Sequence, residues 1–378
     1  MKIRTITTGF NLEAPVKEKQ IRQLSDFTNN SKEIFESNGY TVQTVRVATQ
    51  PWEEYFESKN QIIRLVKELE ALVHKYTIDY FNIGTTIDPK LVSVIYDMIK
   101  NTSTMFCTTL ISDSKKINYT LARQTAKVMK RLSTIQEDGF ANLRFAAIFN
   151  TKPGSPFYPA AYHKGPTSFA IGTENSDLVY KAFSEAKTIE KAAHFLKKTL
   201  LAEFKKIENI AEQISKKEKI QYDGIDVSIA TSIKPDESIA YAFEKLELGK
   251  FGEVGTLAIA RVITETIRNL DIKKCGYSGL MLPVLEDYWL AQRNTEGRYN
   301  LTDLLLFSSV CGTGLDTTPL PGDVSEDKLY ALLLDIASLA IKLNKPLSAR
   351  LMPIPNKKAG EMTGYTFKYF ANSKIMKI

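Results

Sequence analysis

Cysteine and histidine are scarce, with three of each in 378 residues. Cys107, Cys275 and Cys311 are too few and too scattered for a disulfide scaffold or a spaced zinc motif, and an odd, sparse count fits a reducing compartment. Long apolar runs are also missing: none reaches the roughly 18 residues a membrane span needs. The opening MKIRTITTGF lacks the apolar centre of a signal peptide and reads as a strand. No Walker A sequence and no true GxGxxG fingerprint occurs, so ATP and NAD have no support as cofactors. No basic block is interleaved with aromatics, which argues against nucleic acid despite a net charge of +7. The expectation is a cytoplasmic protein without membrane or nucleic-acid partners, whose excess of cations attracts small anionic metabolites.

What is present alternates. Strands are expected at Ile3–Thr8, Thr41–Ala48, Tyr80–Gly84, Met105–Leu110, Leu143–Phe149, Phe169–Gly172, Ile225–Ile229 and Leu347–Met352, with a short apolar element at Leu280–Leu282. Helical patterns fill 16–37, 51–76, 118–135, 255–270 and 330–343. Strand–helix repetition of this kind predicts an α/β protein with much parallel sheet. A very long helical pattern covers 177–216, with Leu196, Leu200, Phe204, Ile207 and Ala211 on one face. That stripe suits a homo-oligomer, most simply a dimer, or packing against the chain's own sheet. With no evident linker, residues 1–378 read as a single compact domain or as two intimately packed halves, 1–175 and 218–378, joined by that helix.

The densest stretch is Cys311-Gly-Thr-Gly-Leu-Asp-Thr-Thr-Pro-Leu-Pro-Gly-Asp323. It collects a possible nucleophile, two carboxylates, three glycines and two prolines, and it reads as a shaped loop.

Several strings together resemble one family: PGSPFYPAAYH at 153–163, TSFAIGTE at 167–174, YDGIDVSIA at 222–230, GYSGLMLPVLED at 276–287, VCGTGLDTTPLPGD at 310–323 and SARLMPIPNKKAGE at 348–361. These resemble the UPF0210 or DUF711 proteins across nearly the whole chain. The resemblance implies a fold similar to pyruvate formate-lyase, an α/β barrel around a roughly ten-stranded sheet with long outer helices. It does not imply radical chemistry. Thr363-Gly364-Tyr365 lacks the Arg-Val that precedes a radical glycine, and Cys311 lacks the adjacent cysteine pair.

Within such a barrel, three chemistries compete. In thiol-assisted acyl transfer or hydrolysis, Cys311 attacks, His163 moves the proton and Asp226 or Asp316 orients it. The amides around Gly312, Thr313 and Gly314 then hold developing negative charge. Strand alternation places Ser228 with Asp226, and Arg350 with Ser348, so Ser228 and Arg350 become substrate-binding candidates. Alternatively, Arg350 simply pairs with Asp226 or Asp316. A second chemistry uses a divalent metal held by Asp226, Asp316 and Glu253. The third reading is a noncatalytic small-molecule-binding or regulatory barrel. Structural roles stand beside each: Cys311 as a buried filler, Asp323 as a helix cap, His163 as a loop anchor and Glu253 as a first-turn residue.

Overall fold

A computed structural model describes residues 1–378. Nine strands form one sheet: β1 (Lys2–Phe10), β2 (Val45–Thr49), β3 (Tyr80–Thr86), β4 (Met105–Ser112), β5 (Phe145–Phe149), β6 (Ser168–Glu174), β7 (Gln221–Asp226), β8 (Gly314–Pro321) and β9 (Leu347–Ile354). Their order is β7-β6-β1-β2-β3-β4-β5-β9-β8. Strands β1 to β5 run parallel. On one side β6 lies antiparallel to β1 and carries β7; on the other β9 lies antiparallel to β5 and carries β8. The sheet therefore draws strands from both halves of the chain.

Helices α1 (Glu18–Ser37), α2 (Lys59–Lys75), α3 (Val94–Lys100) and α4 (Tyr119–Leu132) make the crossovers between the parallel strands. Capping side chains start several of them: Ser58 accepts from Gln61 N, and Asn118 from Leu121 N. The helix expected from Pro51 begins only at Lys59, because Trp52–Tyr55 forms a separate short turn. The long pattern at 177–216 is two helices, α5 (Ser176–Ala186) and α6 (Ile189–Glu218), broken where Lys187 turns left-handed (φ 59°). The α6 stripe, including Leu196, Leu200, Phe204 and Ile207, is buried within this chain against α5, β7 and a later helix, so the face invoked for self-association is consumed internally. That later helix is one of five further elements: α7 (Ile239–Glu244), α8 (Thr256–Arg268), α9 (Tyr288–Thr295), α10 (Leu301–Ser308) and α11 (Glu326–Lys342), with α8 the one on α6. Ser325, not Asp323, caps α11. No helix is long and apolar enough to cross a membrane.

The expected loop at 311–323 is largely a strand. Its prolines, Pro319 and Pro321, are tolerated because β8 ends the sheet order and needs few N–H donors there. Between β7 and β8 in space runs the segment 274–283, which includes the apolar Leu280–Leu282. It makes single bridges Ile225↔Lys274, Ile229↔Leu280 and Pro283↔Asp316, so it touches both outermost strands.

One face of the sheet packs on the helices through a large apolar core that includes Val47, Phe81, Met105, Phe145 and Phe169. The other face is crossed by the Pro- and aromatic-rich segment 155–163. Strand residues hold it: Thr7 Oγ1 donates to Pro156 O (2.8 Å), Asn82 Nδ2 to Pro159 O (2.7 Å), and the Tyr158 hydroxyl to Val47 O. At Gly9 the segment comes so close that an added Cβ would sit 2.3 Å from His163 Nδ1.

Candidate functional site

Beneath that crossing segment lies a cavity of about 380 Å³. Arg4, Arg46, Tyr80, Phe106 and Ala146 reach it from the early part of β1 to β5. Ser348 and Arg350 reach it from β9, Asp316 from β8, and Tyr277 and Met281 from the bridging segment. Tyr158 and Pro159 line it from the crossing segment, and Phe367 to Tyr369 stand at its edge.

Two of its arginines are tied into an ion-pair chain. Arg350 grips Asp316 with two nitrogens (2.6 and 3.0 Å) and reaches Glu286 Oε1 (2.6 Å). Arg4 takes the other Glu286 oxygen (2.8 Å) and Glu174 Oε2 (2.8 Å). Burial opposes the charge on Arg350, but Asp316 and Glu286 outweigh it and raise its pKa. Glu174 is likewise desolvated, yet Arg4 and Lys2 hold its carboxyl below the ordinary range. These groups neutralise one another.

Arg46 is different. Its Nε donates to Thr44 Oγ1 (2.9 Å), and its guanidinium carbon lies 5.0 Å from the Tyr158 ring centre and 5.6 Å from that of Tyr80. It makes no ion pair within 4.0 Å, and its terminal nitrogens donate to no protein acceptor. Burial away from bulk water pulls its pKa down to about 10. It remains a cation at neutral pH, presenting a planar fork to the cavity between aromatic walls.

The other candidates fall in several places. Cys311 is fully buried in the main apolar core and is not part of the cavity wall. His163 bonds Gly165 O through Nε2 (2.8 Å), and burial lowers its pKa. Its ring lies against Gly9 and its backbone N donates to Thr49 O (2.8 Å), and it makes no hydrogen bond to the thiol. Gly312 packs Cα to Cα against Gly279, Gly314 lies beneath Ser348 O, and Thr313 donates to Leu280 O (3.1 Å) at the cavity edge. Asp226 is saturated: it accepts from Ser228 N (3.0 Å), Ser228 Oγ (2.6 Å), Tyr277 N (2.8 Å) and Ser278 N (2.9 Å). Burial pushes its carboxyl above the ordinary value against those four bonds. Glu253 is on the surface, paired with Arg298. The three carboxylates suggested for a metal thus have three separate partners, and no group of three or more His, Cys, Asp or Glu side chains is arranged to hold one. Of the two carboxylates considered for Arg350, it meets Asp316.

Arg4, Arg46, Glu286 and the tyrosines escaped the sequence reading. A signal existed: Arg4 in IRTIT and Arg46 in TVRVA are lone charges inside strand patterns, as is Arg350 in SARLM.

Fold and cavity together define a mixed α/β protein in which helices flank a multi-stranded sheet, with an arginine-bearing pocket on the sheet's other face. Residues 1–366 match the family described as Uncharacterised ACR (DUF711), and the chain belongs to that family. It is similar to a UPF0210 protein of Clostridium perfringens, 23% identical with 97% of this chain and 88% of the relative covered. A UPF0210 protein of Pyrobaculum aerophilum is 28% identical over 85% of this chain and 76% of its own length. One from Caldicellulosiruptor saccharolyticus is 24% identical, covering all of this chain and 91% of the relative.

Proposed function

We propose that the sheet closes through segment 274–283 into a barrel whose interior binds a small organic anion, anchored on Arg46. The bridges from that segment to β7 and to Asp316 support closure. The observation that carries the binding reading is the free fork of Arg46. In a cavity whose other arginines are ion-paired, the Arg46 guanidinium lines the space with its terminal nitrogens unbonded to protein, and Asp79, in the same wall, accepts from Val45 N (2.8 Å) and lies beyond ion-pair distance. A carboxylate meets such a fork with two parallel charge-assisted hydrogen bonds. Tyr80, Phe106 and Tyr158 suit an apolar body attached to it, and about 380 Å³ accommodates a metabolite of modest size. This reading assigns no covalent step, because the Cys311 thiol stands in the apolar core rather than on the cavity wall.

The test is thermal stabilisation by a panel of small carboxylates that includes benzoate. Binding to the folded state alone raises stability by mass action, by about 2.7 kcal/mol at a ligand concentration of about one hundred Kd. At least one member is expected to raise the melting temperature of the wild type, Arg46→Lys to retain part of the shift, and Arg46→Gln to lose it. An undiminished shift in folded Arg46→Gln, or no shift from any member of the panel, refutes the reading.

A further inference from the structure

A second cleft, of about 640 Å³, opens at the other end of the sheet. The interior cavity is built from the early part of β1 to β5. The cleft is built from residues beyond the ends of those strands, Lys152 to Gly154 and His163, together with the approaches to β7 and β9. Carboxyl ends of parallel strands are where ligands of α/β sheets commonly sit.

Its charge is one-sided. Lys152, Lys164, Arg268, Lys274 and Lys345 line it, against Asp223 as the single carboxylate. Asp223 is already engaged by Ser168 Oγ (2.6 Å) and Gln221 Nε2 (2.7 Å). None of the five cations has a carboxylate within 4.0 Å.

Lys345 adds an independent observation. It is 5% exposed, and its ammonium bonds only the carbonyls of Ser308 (2.5 Å) and Cys311. A buried cation without a counter-charge is unfavourable unless something offsets it, and burial draws its pKa down to about 8. Arg268, at the same opening, adds like-charge repulsion to that burial cost. A multiply charged anion would relieve it, whereas a single carboxylate would balance only one of the five.

We propose that this cleft is a second binding site, taking the phosphate or pyrophosphate group of a small molecule. Lys152, Lys164 and Arg268 supply exposed donors at the rim, Lys274, whose amine also donates to Leu270 O, adds charge there, and Lys345 supplies buried positive charge below. Tyr277 borders both cavities, with its hydroxyl held at Thr151 Oγ1 (3.1 Å), so one side chain partitions the two sites. The proposal does not rest on the reading of the interior cavity.

The probe is inorganic pyrophosphate, titrated calorimetrically into the full chain at low and at moderate ionic strength. Saturable binding of one equivalent is expected, weaker at higher salt. The double substitution Lys152→Gln with Lys274→Gln should weaken it by roughly tenfold or more, as should Arg268→Gln combined with Lys152→Gln, should the first pair disturb folding. Lys67→Gln, on the outer face of α2, controls for net charge, and Arg46→Gln controls for the interior site; both should bind as the wild type does. Absent or non-saturating binding, unchanged affinity in folded cleft variants, or equal weakening by Lys67→Gln or Arg46→Gln would each overturn the proposal.

Discussion

Replacing Asp226 by alanine removes the acceptor for three backbone N–H groups, those of Ser228, Tyr277 and Ser278, and for the Ser228 hydroxyl. The hydroxyl can turn to other partners and already accepts from Gly279 N (3.0 Å). The three N–H groups cannot turn, because the chain there is pinned between β7 and β8. An orphaned buried donor costs about 1–3 kcal/mol, so three of them cost about 3–9 kcal/mol. That is a large share of the roughly 5–15 kcal/mol that stabilises an ordinary domain. Asp226→Asn should be milder. The retained oxygen can keep Ser228 and Ser278, which share Oδ1, while the new amide opposes only the Tyr277 N–H that used Oδ2. One lost bond predicts about 2 kcal/mol. Equilibrium urea unfolding followed by circular dichroism reads both values from the midpoint and slope. An alanine variant within about 1 kcal/mol of wild type, or an asparagine variant as damaged as alanine, would refute the hydrogen-bond account. In that event Asp226 would again be a candidate for chemistry.

Gly312→Ala would place a Cβ 2.2 Å from Gly279 Cα, a backbone atom with no rotamer to yield. A loss of about 1–3 kcal/mol or more is expected, and a melting temperature equal to wild type would show that the two segments do not approach so closely. The buried Lys345 amine, lowered from 10.5 to about 8, sets a pH dependence of known sign. Between about pH 8 and 10.5 the folded state binds fewer protons there than the unfolded state, so this group's penalty is full below about 8 and is relieved as pH rises through the window. The stability of wild type relative to Lys345→Gln, measured by urea titration at several pH values, should therefore climb across that window; a flat difference would contradict it.

Local patterns carried the strands and crossover helices, because period-two and 3.6-residue alternation are set by which residues must face a core. Seven strands appeared near their expected places. β7 starts four residues earlier than expected and ends at Asp226, so Ser228 lies beyond it rather than on the same strand face. The ninth strand, Gly314–Pro321, was hidden because prolines and glycines signal a loop unless the strand is known to end a sheet. The same sequence cues marked Arg350, Asp226 and the 311–323 stretch as unusual, since charge and special backbone residues inside apolar patterns need a reason. They did not reveal what those residues touch. Asp226 and Ser278 are 52 positions apart, Arg350 and Glu286 are 64, and Arg4 and Glu286 are 282. Sequence alone determined the family, the α/β alternation and the presence of isolated charges in strands. Only the tertiary structure decided which charges cancel and which do not. Whether an arginine is neutralised depends on carboxylates brought to it by strand order and register, and no local period encodes that. Arg46 and Lys345 stand apart for this reason: their neighbours in space, not in sequence, leave them without an ion-pair partner.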